Sequence, residues 1–340
     1  MKTNKLSFNV PAELIAQYPP EQRGQSRLLL IDRNGAAPRD HSVAQLPDLV
    51  APGTLMVFNN TRVRNARIHA ERAGGAKHQL LLTDRISGRR WRAIADRAKK
   101  LQVGVRLQLP DGSGVQVVAV DEPYREISFE QPIDDAWLER YGHVPLPPYM
   151  RRDDEAADRL RYQTMFAKIA GSAAAPTASL HFTQDLLDQL TERGVHFAEV
   201  TLHVGIGTFL PIRSERIEDH TMHRERYYVS PLTADAVASA KRAGRRVLAV
   251  GTTVVRTLES AWNTKRNAPL AGHGSTDLFI YPGYRFCAVD QIFTNLHTPE
   301  SSLAAMIAAF TGTETLLTAY RHAVDQRYRF FSYGDASLLS

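Results

Sequence analysis

From residue 64 to about residue 141 the hydrophobic pattern runs with a period of two. Six short segments alternate apolar and polar residues: ARIHA, HQLLL, RWRAIA, VRLQL, VQVVAV and REISFE. Turn formers separate several of them, at Gly74-Gly75, Ser87-Gly88 and Asp111-Gly112-Ser113-Gly114. Strand side chains point alternately to two faces, so each segment buries one face and wets the other. Strands this short and this closely spaced form a small barrel or sandwich. The chain on either side reads differently, as compact apolar runs alternating with helix-period segments, the pattern of an α/β unit. The stiff run PLPPY at 145–149 marks the return. The expected fold is an α/β main domain, residues 1–59 and 147–340, with an all-β barrel-like domain, residues 60–146, inserted into it.

Buried strands are expected at LLLID (28–32) and TLMVF (54–58), with short helices over residues 11–16 and 42–50. Polar residues NNTR follow the second strand, where a crevice or a turn is expected. Beyond the connector the pattern predicts a helix over 159–170 and a small-residue loop over 171–176. A helix capped by Thr183 and stopped by Gly194 follows, then a strand over 196–204. Next come a helix capped by Thr233, a strand over 246–250, and Gly251-Thr252-Thr253 opening a helix through Trp262. The last elements are a strand over 276–280, a helix capped by Ser301, a helix over about 314–325, and a strand entering a turn over 328–335.

The charge is uneven. The whole chain is +6, yet residues 62–106 hold thirteen Lys and Arg against Glu71, Asp84 and Asp96, which makes that segment +10 and the remainder −4. Such a segment is either a solvated surface or a phosphate-binding face. A single cysteine, Cys287, excludes an intramolecular disulfide and suits a reducing cytoplasm. No apolar run reaches membrane-spanning length, and the start MKTNKLSFNV has no apolar core of a signal peptide, so a cytoplasmic protein is expected.

Candidate chemistry concentrates in residues 177–228, which hold His181, His203, His220 and His223 at element edges. Gly205-Ile206-Gly207-Thr208 breaks a strand; a lone G-x-G shapes a tight turn or admits a ligand close to the backbone. The pair in HTMH, three residues apart, has metal-ligand spacing on a helical face. No H-E-x-x-H, C-x-x-C or aspartate-rich set accompanies it, so no metal is expected. Strand, Gly-Thr-Thr and helix N-terminus form a cradle for an anion such as a carboxylate. The patterns of nucleotide-phosphate loops are missing.

Read together, the motifs resemble one family: the S-adenosylmethionine:tRNA ribosyltransferase-isomerases of queuosine biosynthesis. The matching stretches are NNTRVRNAR (59–67), PLPPYMRR (145–152), RYQTMFA (161–167), APTASLHFT (175–183), TLHVGIGTFLPI (201–212), HTMHRERY (220–227), AVGTTVVRTLESA (249–261), DLFIYPGYRF (277–286), VDQIFTNLHTPESSL (289–303) and YRFFSYGDA (328–336). Ser179 stands where the family usually has glycine, and Thr298 and Ser302 replace commoner residues. The resemblance implies an α/β domain with an inserted barrel. It also implies transfer and isomerisation of the ribosyl part of S-adenosylmethionine onto 7-aminomethyl-7-deazaguanine at the tRNA wobble position. The products are epoxyqueuosine-tRNA, adenine and methionine. S-adenosylmethionine is then a consumed substrate, no metal or other cofactor is needed, and a monomer is expected.

For that chemistry the expected S-adenosylmethionine site is Thr177, Ala178, Phe182, Gly205, Gly207, Thr208, Gly251, Thr252 and Thr253. The expected tRNA and base contacts are Asn60, Arg62, Arg85, Arg89, Arg90, Lys99, Lys100, Asn295 and His297. His181, supported by His203 and His223, is the expected acid–base group, kept neutral beside a helix start. His181 binding only ribose or adenine, or Glu225 or Glu259 as base, stays open. Two other classes compete: a non-catalytic RNA binder using the basic β module, and a methyltransferase.

Overall fold

The computed structural model describes residues 1–205 and 211–340. The chain begins the main sheet with β1 (Arg27–Ile31), β2 (Arg39–Ser42) and β3 (Leu55–Asn59), with α1 (Leu46–Leu49) before β3. β4 (Thr61–Val63) then leads away from the sheet. Six strands follow: β5 (Arg67–Arg72), β6 (Lys77–Arg85), β7 (Arg90–Ala95), β8 (Arg106–Gln108), β9 (Gly114–Asp121) and β10 (Tyr124–Phe129). They close into a barrel in the order β10-β7-β6-β5-β8-β9. Closure leaves no unpaired edge in the ring. The alternation expected from the sequence is what fills it: on β7, Trp91, Ala93 and Ala95 are buried while Arg90 and Arg92 face water. Trp91 packs inside with Ile68, Leu80, Val117 and Phe129.

Helix α2 (Asp135–Tyr141) follows the barrel, started by Asp134, whose carboxylate accepts the Trp137 amide at 2.8 Å. Two turns inside a period-two stretch escape a pattern reading. The remaining elements are α3 (Asp158–Arg161), β11 (Ile169–Ser172), α4 (Gln184–Glu192), β12 (His196–Leu202), β13 (Glu225–Val229), α5 (Pro231–Arg242), β14 (Val247–Val250) and α6 (Thr252–Ala261). After them come β15 (Trp262–Asn263), β16 (Ala268–Pro269), β17 (Gly272–Thr276), β18 (Gln291–Asn295), α7 (Ser302–Thr311), α8 (Thr313–Asp325) and β19 (Ala336–Leu339).

The main sheet runs β17-β13-β12-β3-β14-β18-β19-β1-β2. Its centre, β12-β3-β14-β18, is parallel. Every residue of β3 and β14 is buried, as strands covered on both faces require. Val57, Ala249 and Ile292 face one layer, with Val254 and Leu258 of α6. Met56, Phe58, Leu248 and Phe293 face the other, with Phe182 and the leucines of α4. β12 adds to one side of β3 and β14 to the other. A crevice opens at the carboxyl ends of parallel strands where the order switches in this way. β4 and β11 pair in parallel, so the chain leaves and re-enters beside itself. No single helix among the described residues is long and apolar enough to cross a membrane.

Several expected elements differ. The helix over 159–170 stops after α3. The Gln163 side chain instead mimics a strand, taking the Val63 amide at 3.1 Å and giving to its carbonyl at 2.8 Å. α5 is capped by Ser230, not Thr233: the Thr233 amide donates to Ser230 Oγ at 3.0 Å. The strand expected over 276–280 is β17 instead. Arg256 draws the chain beyond it into a loop through the Leu278 carbonyl at 3.1 Å and the Thr276 carbonyl at 3.4 Å. Residues 328–335 turn rather than extend. The Asp335 carboxylate accepts the Arg329 amide at 2.8 Å and the Arg27 amide at 3.0 Å, and the strand is β19. The helix over 11–16 is a 3-10 turn, Ala12–Leu14.

Candidate active site

A cleft opens at the carboxyl ends of β12, β14 and β18. Thr177 and Ala178, Gly251 to Thr253, and Asn295 and His297 all line it. The three come from loops far apart in sequence, and the strand ends bring them together. Gly251 links β14 to α6 at φ 96°, a left-handed conformation that favours glycine, and a Cβ there would meet the Ala178 Cβ at 3.5 Å. The first amides of α6, at Thr252 and Thr253, have no acceptor within their own helix and lie at its positive end.

Asn59 holds the floor, and the sequence reading missed its role. Its Oδ1 accepts the Thr61 and Leu202 amides, each at 3.1 Å. Its Nδ2 gives to the Leu202 carbonyl at 3.0 Å and Thr253 Oγ1 at 3.2 Å. One buried amide thus ties the ends of β3 and β12 to the start of α6. A polar residue closing an otherwise apolar strand was the available signal. The opposite wall was also missed: Tyr149 of the connector and Phe331, ring centroids 4.7 Å apart. Phe331 sits at φ 73°, and such strain in an aromatic residue persists where surroundings over-determine it. Its amide donates to the Leu296 carbonyl at 3.0 Å and its carbonyl accepts Asn295 Nδ2 at 3.2 Å.

His181 lies one side chain behind this wall. It is buried and does not line the cleft. Asn295 Nδ2 is 3.2 Å from its Nε2, and an amide NH₂ can only donate, so Nε2 accepts. The proton then sits on Nδ1 and is given to Ser26 Oγ at 3.0 Å. Asn295 Oδ1 takes the Thr177 hydroxyl at 2.9 Å. Burial first, then Arg23 and Arg329, push the His181 pKa down to about 4. Burial is the first cause of the ring's neutrality, and the two arginine charges add to it. His297 faces the cleft itself, 2.9 Å from Thr294 Oγ1, and burial pushes its pKa down to about 3.

The other expected site residues scatter. Phe182 is in the core, edge-on to Phe58 and Phe293. Ser179 is fully buried away from the cleft. His203 points towards β4 and β11, 2.9 Å from Thr61 Oγ1, and a Cβ at Gly171 would strike its ring at 2.7 Å. Burial first, then Arg226 and Arg64, lower its pKa to about 4. His223 meets Tyr124 of the barrel at 3.0 Å. His220 packs on Phe279. Those two are not on a helical face but in the loop before β13. Among the described residues no group of three His, Cys, Asp or Glu is placed to hold a metal. Gly205 gives its amide to Glu225 at 2.7 Å, and Gly207 and Thr208 lie outside the described residues. Glu225 is paired with Arg256 in the interior. Glu259 accepts the amides of Cys287, Ala288 and Val289 at 3.0 to 3.1 Å, away from the cleft.

The basic segment is less positive in three dimensions than in sequence. Arg62, Arg64, Arg67, Arg90 and Arg92 pair with Glu139, Asp135, Asp154, Glu126 and Asp121, all outside residues 62–106. Arg85, Arg89, Lys99 and Lys100 are exposed and make no salt bridge among the described residues. They form two groups: Arg85 and Arg89 at the β6–β7 turn, the two lysines beyond the other end of β7. Asn60 is occupied, giving to Glu199 at 3.1 Å and accepting from Thr201 at 2.7 Å.

The cleft encloses about 50 Å³. Small-molecule sites usually enclose about 300–1,000 Å³, so a nucleoside enters only if the walls part. A buried, largely apolar cleft with donor amides at one end and a neutral imidazole can hold a carboxylate and accept a proton.

The family model described as "Queuosine biosynthesis protein" matches residues 3–339. A protein of Treponema denticola named S-adenosylmethionine:tRNA ribosyltransferase-isomerase is 47% identical over 346 residues, covering 100% of both chains. One of the same name from Anaeromyxobacter dehalogenans strain 2CP-C is 49% identical, covering 100% of this chain and 99% of the relative. The crystal structure of S-adenosylmethionine tRNA ribosyltransferase from Thermotoga maritima is 32% identical, with a TM-score of 0.57 over 99% of this chain and 100% of that one. A sheet with an inserted barrel, a cleft at its switch point and full-length matches of this kind agree. The chain belongs to the queuosine biosynthesis family of S-adenosylmethionine:tRNA ribosyltransferase-isomerases.

Proposed function

We propose that this chain transfers and isomerises the ribosyl part of S-adenosylmethionine onto the aminomethyl group of 7-aminomethyl-7-deazaguanine in tRNA. Epoxyqueuosine-tRNA, adenine and methionine are the products. The observation that carries this reading is the convergence of Thr177, Gly251–Thr253 and Asn295–His297 on one cleft, in a chain whose full-length relatives bear that activity in their names. The Thr252 and Thr253 amides take the methionine carboxylate. The Tyr149–Phe331 wall offers apolar ring faces to the adenine. Removal of the proton beside the sulfonium needs a base within reach. His297 is placed for that role because it faces the cleft; its ring is unprotonated at pH 7, and parting of the walls on ligand entry would relieve the burial that weakens it as a base. His181 acts through another group, fixing the Asn295 amide and hence the Thr177 hydroxyl. His203 and His223 lie on the barrel side and serve the tRNA face. S-adenosylmethionine is consumed, and no further cofactor or metal enters the balance. The single cysteine, Cys287, supports a reducing cytoplasm as the compartment, and a monomer is the proposed working unit.

The direct test incubates the protein with S-adenosylmethionine and precursor-bearing tRNA. Free adenine and methionine in equal amounts are expected. S-adenosylhomocysteine would identify a methyltransferase, and no consumption would identify a binder. His297→Gln should slow a single turnover by about 10²–10⁴ with S-adenosylmethionine affinity largely kept. A rate near wild type would remove His297 from the chemistry.

Phosphate contacts make affinity fall with salt. Reversing Arg85, Arg89, Lys99 and Lys100 to glutamate is expected to weaken tRNA binding and flatten its dependence on salt. An unchanged slope would leave these residues a solvated surface.

A further inference from the structure

A cavity of about 640 Å³ lies between the outer face of the barrel and the connector that returns the chain to the sheet. It is far roomier than the cleft and falls in the size range of ligand sites. Its barrel wall is one rung across three strands: Arg67 pairs with Leu81, and Leu81 with Ile94. Leu81 and Ile94 point outward from the barrel, yet are apolar and half-buried. The facing wall is Pro145, Pro147 and Met150 of the connector. The two walls present apolar surfaces to each other. At the mouth, Gln79, Asp96, Arg151 and Asp153 are exposed. Asp96 Oδ1 accepts the Gln79 backbone amide at 2.8 Å and lies 3.4 Å from His78 Nδ1, while its Oδ2 makes no hydrogen bond among the described residues. Nor does the Asp153 carboxylate make a hydrogen bond or salt bridge among them.

The cavity and the cleft share a partition. Tyr149 lines the cleft and its neighbour Met150 the cavity; Ala175 lines the cleft and Ala173 the cavity. Two residues of chain span at most about 7 Å, so occupants of the two spaces sit within reach of each other.

We propose that this cavity receives a guanine-type nucleobase turned out of a tRNA loop, an inference that rests on the transferase reading above. An enzyme that acts on a base takes it out of the stack, holds it between apolar side chains and reads its hydrogen-bonding edge. A guanine-type edge carries two adjacent N–H donors, and a carboxylate is an acceptor with two oxygens. Asp96 and Asp153 supply it at the mouth. On such a base the 2-amino group lies on the minor-groove side with the sugar, and position 7 on the opposite side. Donors and sugar at the mouth therefore send a substituent on position 7 inward, towards the partition and the cleft behind it. Lys99 and Lys100, just beyond Asp96, and Arg151 meet the flanking phosphates.

The test uses fluorescent anticodon stem-loops carrying either 7-aminomethyl-7-deazaguanine or adenine at the wobble position. The variants are Ile94→Trp, which fills the cavity from the barrel wall, and Asp96→Asn combined with Asp153→Asn. By anisotropy the wild-type chain should prefer the deazaguanine stem-loop. Each variant should lose that preference by about tenfold to hundredfold, the worth of hydrogen bonds to a charged group. S-adenosylmethionine affinity should stay within about twofold, a change near the error of such measurements. The double asparagine variant keeps side-chain shape and serves if the tryptophan variant does not fold. Preference and kcat/KM unchanged in the folded variants would overturn the assignment. Failure of the transferase reading would show separately, as no adenine from the wild-type chain.

Discussion

Taking the protein from pH 7 to pH 5 is expected to lower its unfolding free energy by about 4 kcal/mol through two buried histidines alone. An unfolded histidine titrates near pH 6.5. In the fold, burial lowers His181 to about 4 and His297 to about 3. Between those values the unfolded chain binds protons that the fold cannot, so stability rises with pH across the window. It is whole above about pH 6.5 and falls as the pH descends towards 4, by about 2 kcal/mol per histidine at pH 5. The depressed carboxylates of Asp154 and Asp158 are lost only below their ordinary range, so they do not fill this window. Urea unfolding at the two pH values measures the difference, to which His203, also lowered by burial to about 4, adds, and His297→Gln should remove about 2 kcal/mol of it. Equal stability at pH 7 and pH 5 would contradict the burial of both rings. The same protonation would set a donor on His181 against the donor of Asn295, opening the wall that holds Thr177.

Glu225→Ala should cost about 3–5 kcal/mol, because it leaves the Arg256 charge in the interior without its partner. The two side chains are 4% and 5% exposed. The lost carboxylate also releases the Gly205 amide, one residue from the cleft wall at Val204, so S-adenosylmethionine binding should weaken as well. Replacing both partners, Glu225→Leu with Arg256→Met, should cost less than the single change, since no charge is then stranded. Urea unfolding of the three chains decides this. A single variant within about 1 kcal/mol of wild type would mean that water reaches Arg256.

Periodicity carried most of the architecture. Alternation over RWRAIA places Trp91, Ala93 and Ala95 inside the barrel, because a strand cannot turn those side chains anywhere else. Continuous apolar runs at β3 and β14 require cover on both faces, which puts them at the centre of the sheet. Glycine at 251 announced the turn before α6, because few other residues hold φ 96°. These are local properties, and residues near in sequence decide them.

The roles of individual side chains were decided elsewhere. His181 and His297 look alike in sequence, yet one is packed behind Asn295 and the other faces the cleft. Thirteen basic residues in one segment read as a charged face until carboxylates from beyond it neutralise five. Phe331 and Tyr149 build one wall of the cleft although they lie far apart in sequence. By itself the sequence determined which segments become strands and helices and which faces they bury, since backbone sterics and apolar burial act within a few residues. Only the tertiary structure decided which polar group meets which, because hydrogen bonds and ion pairs act over a few ångströms and the fold alone brings distant residues that close.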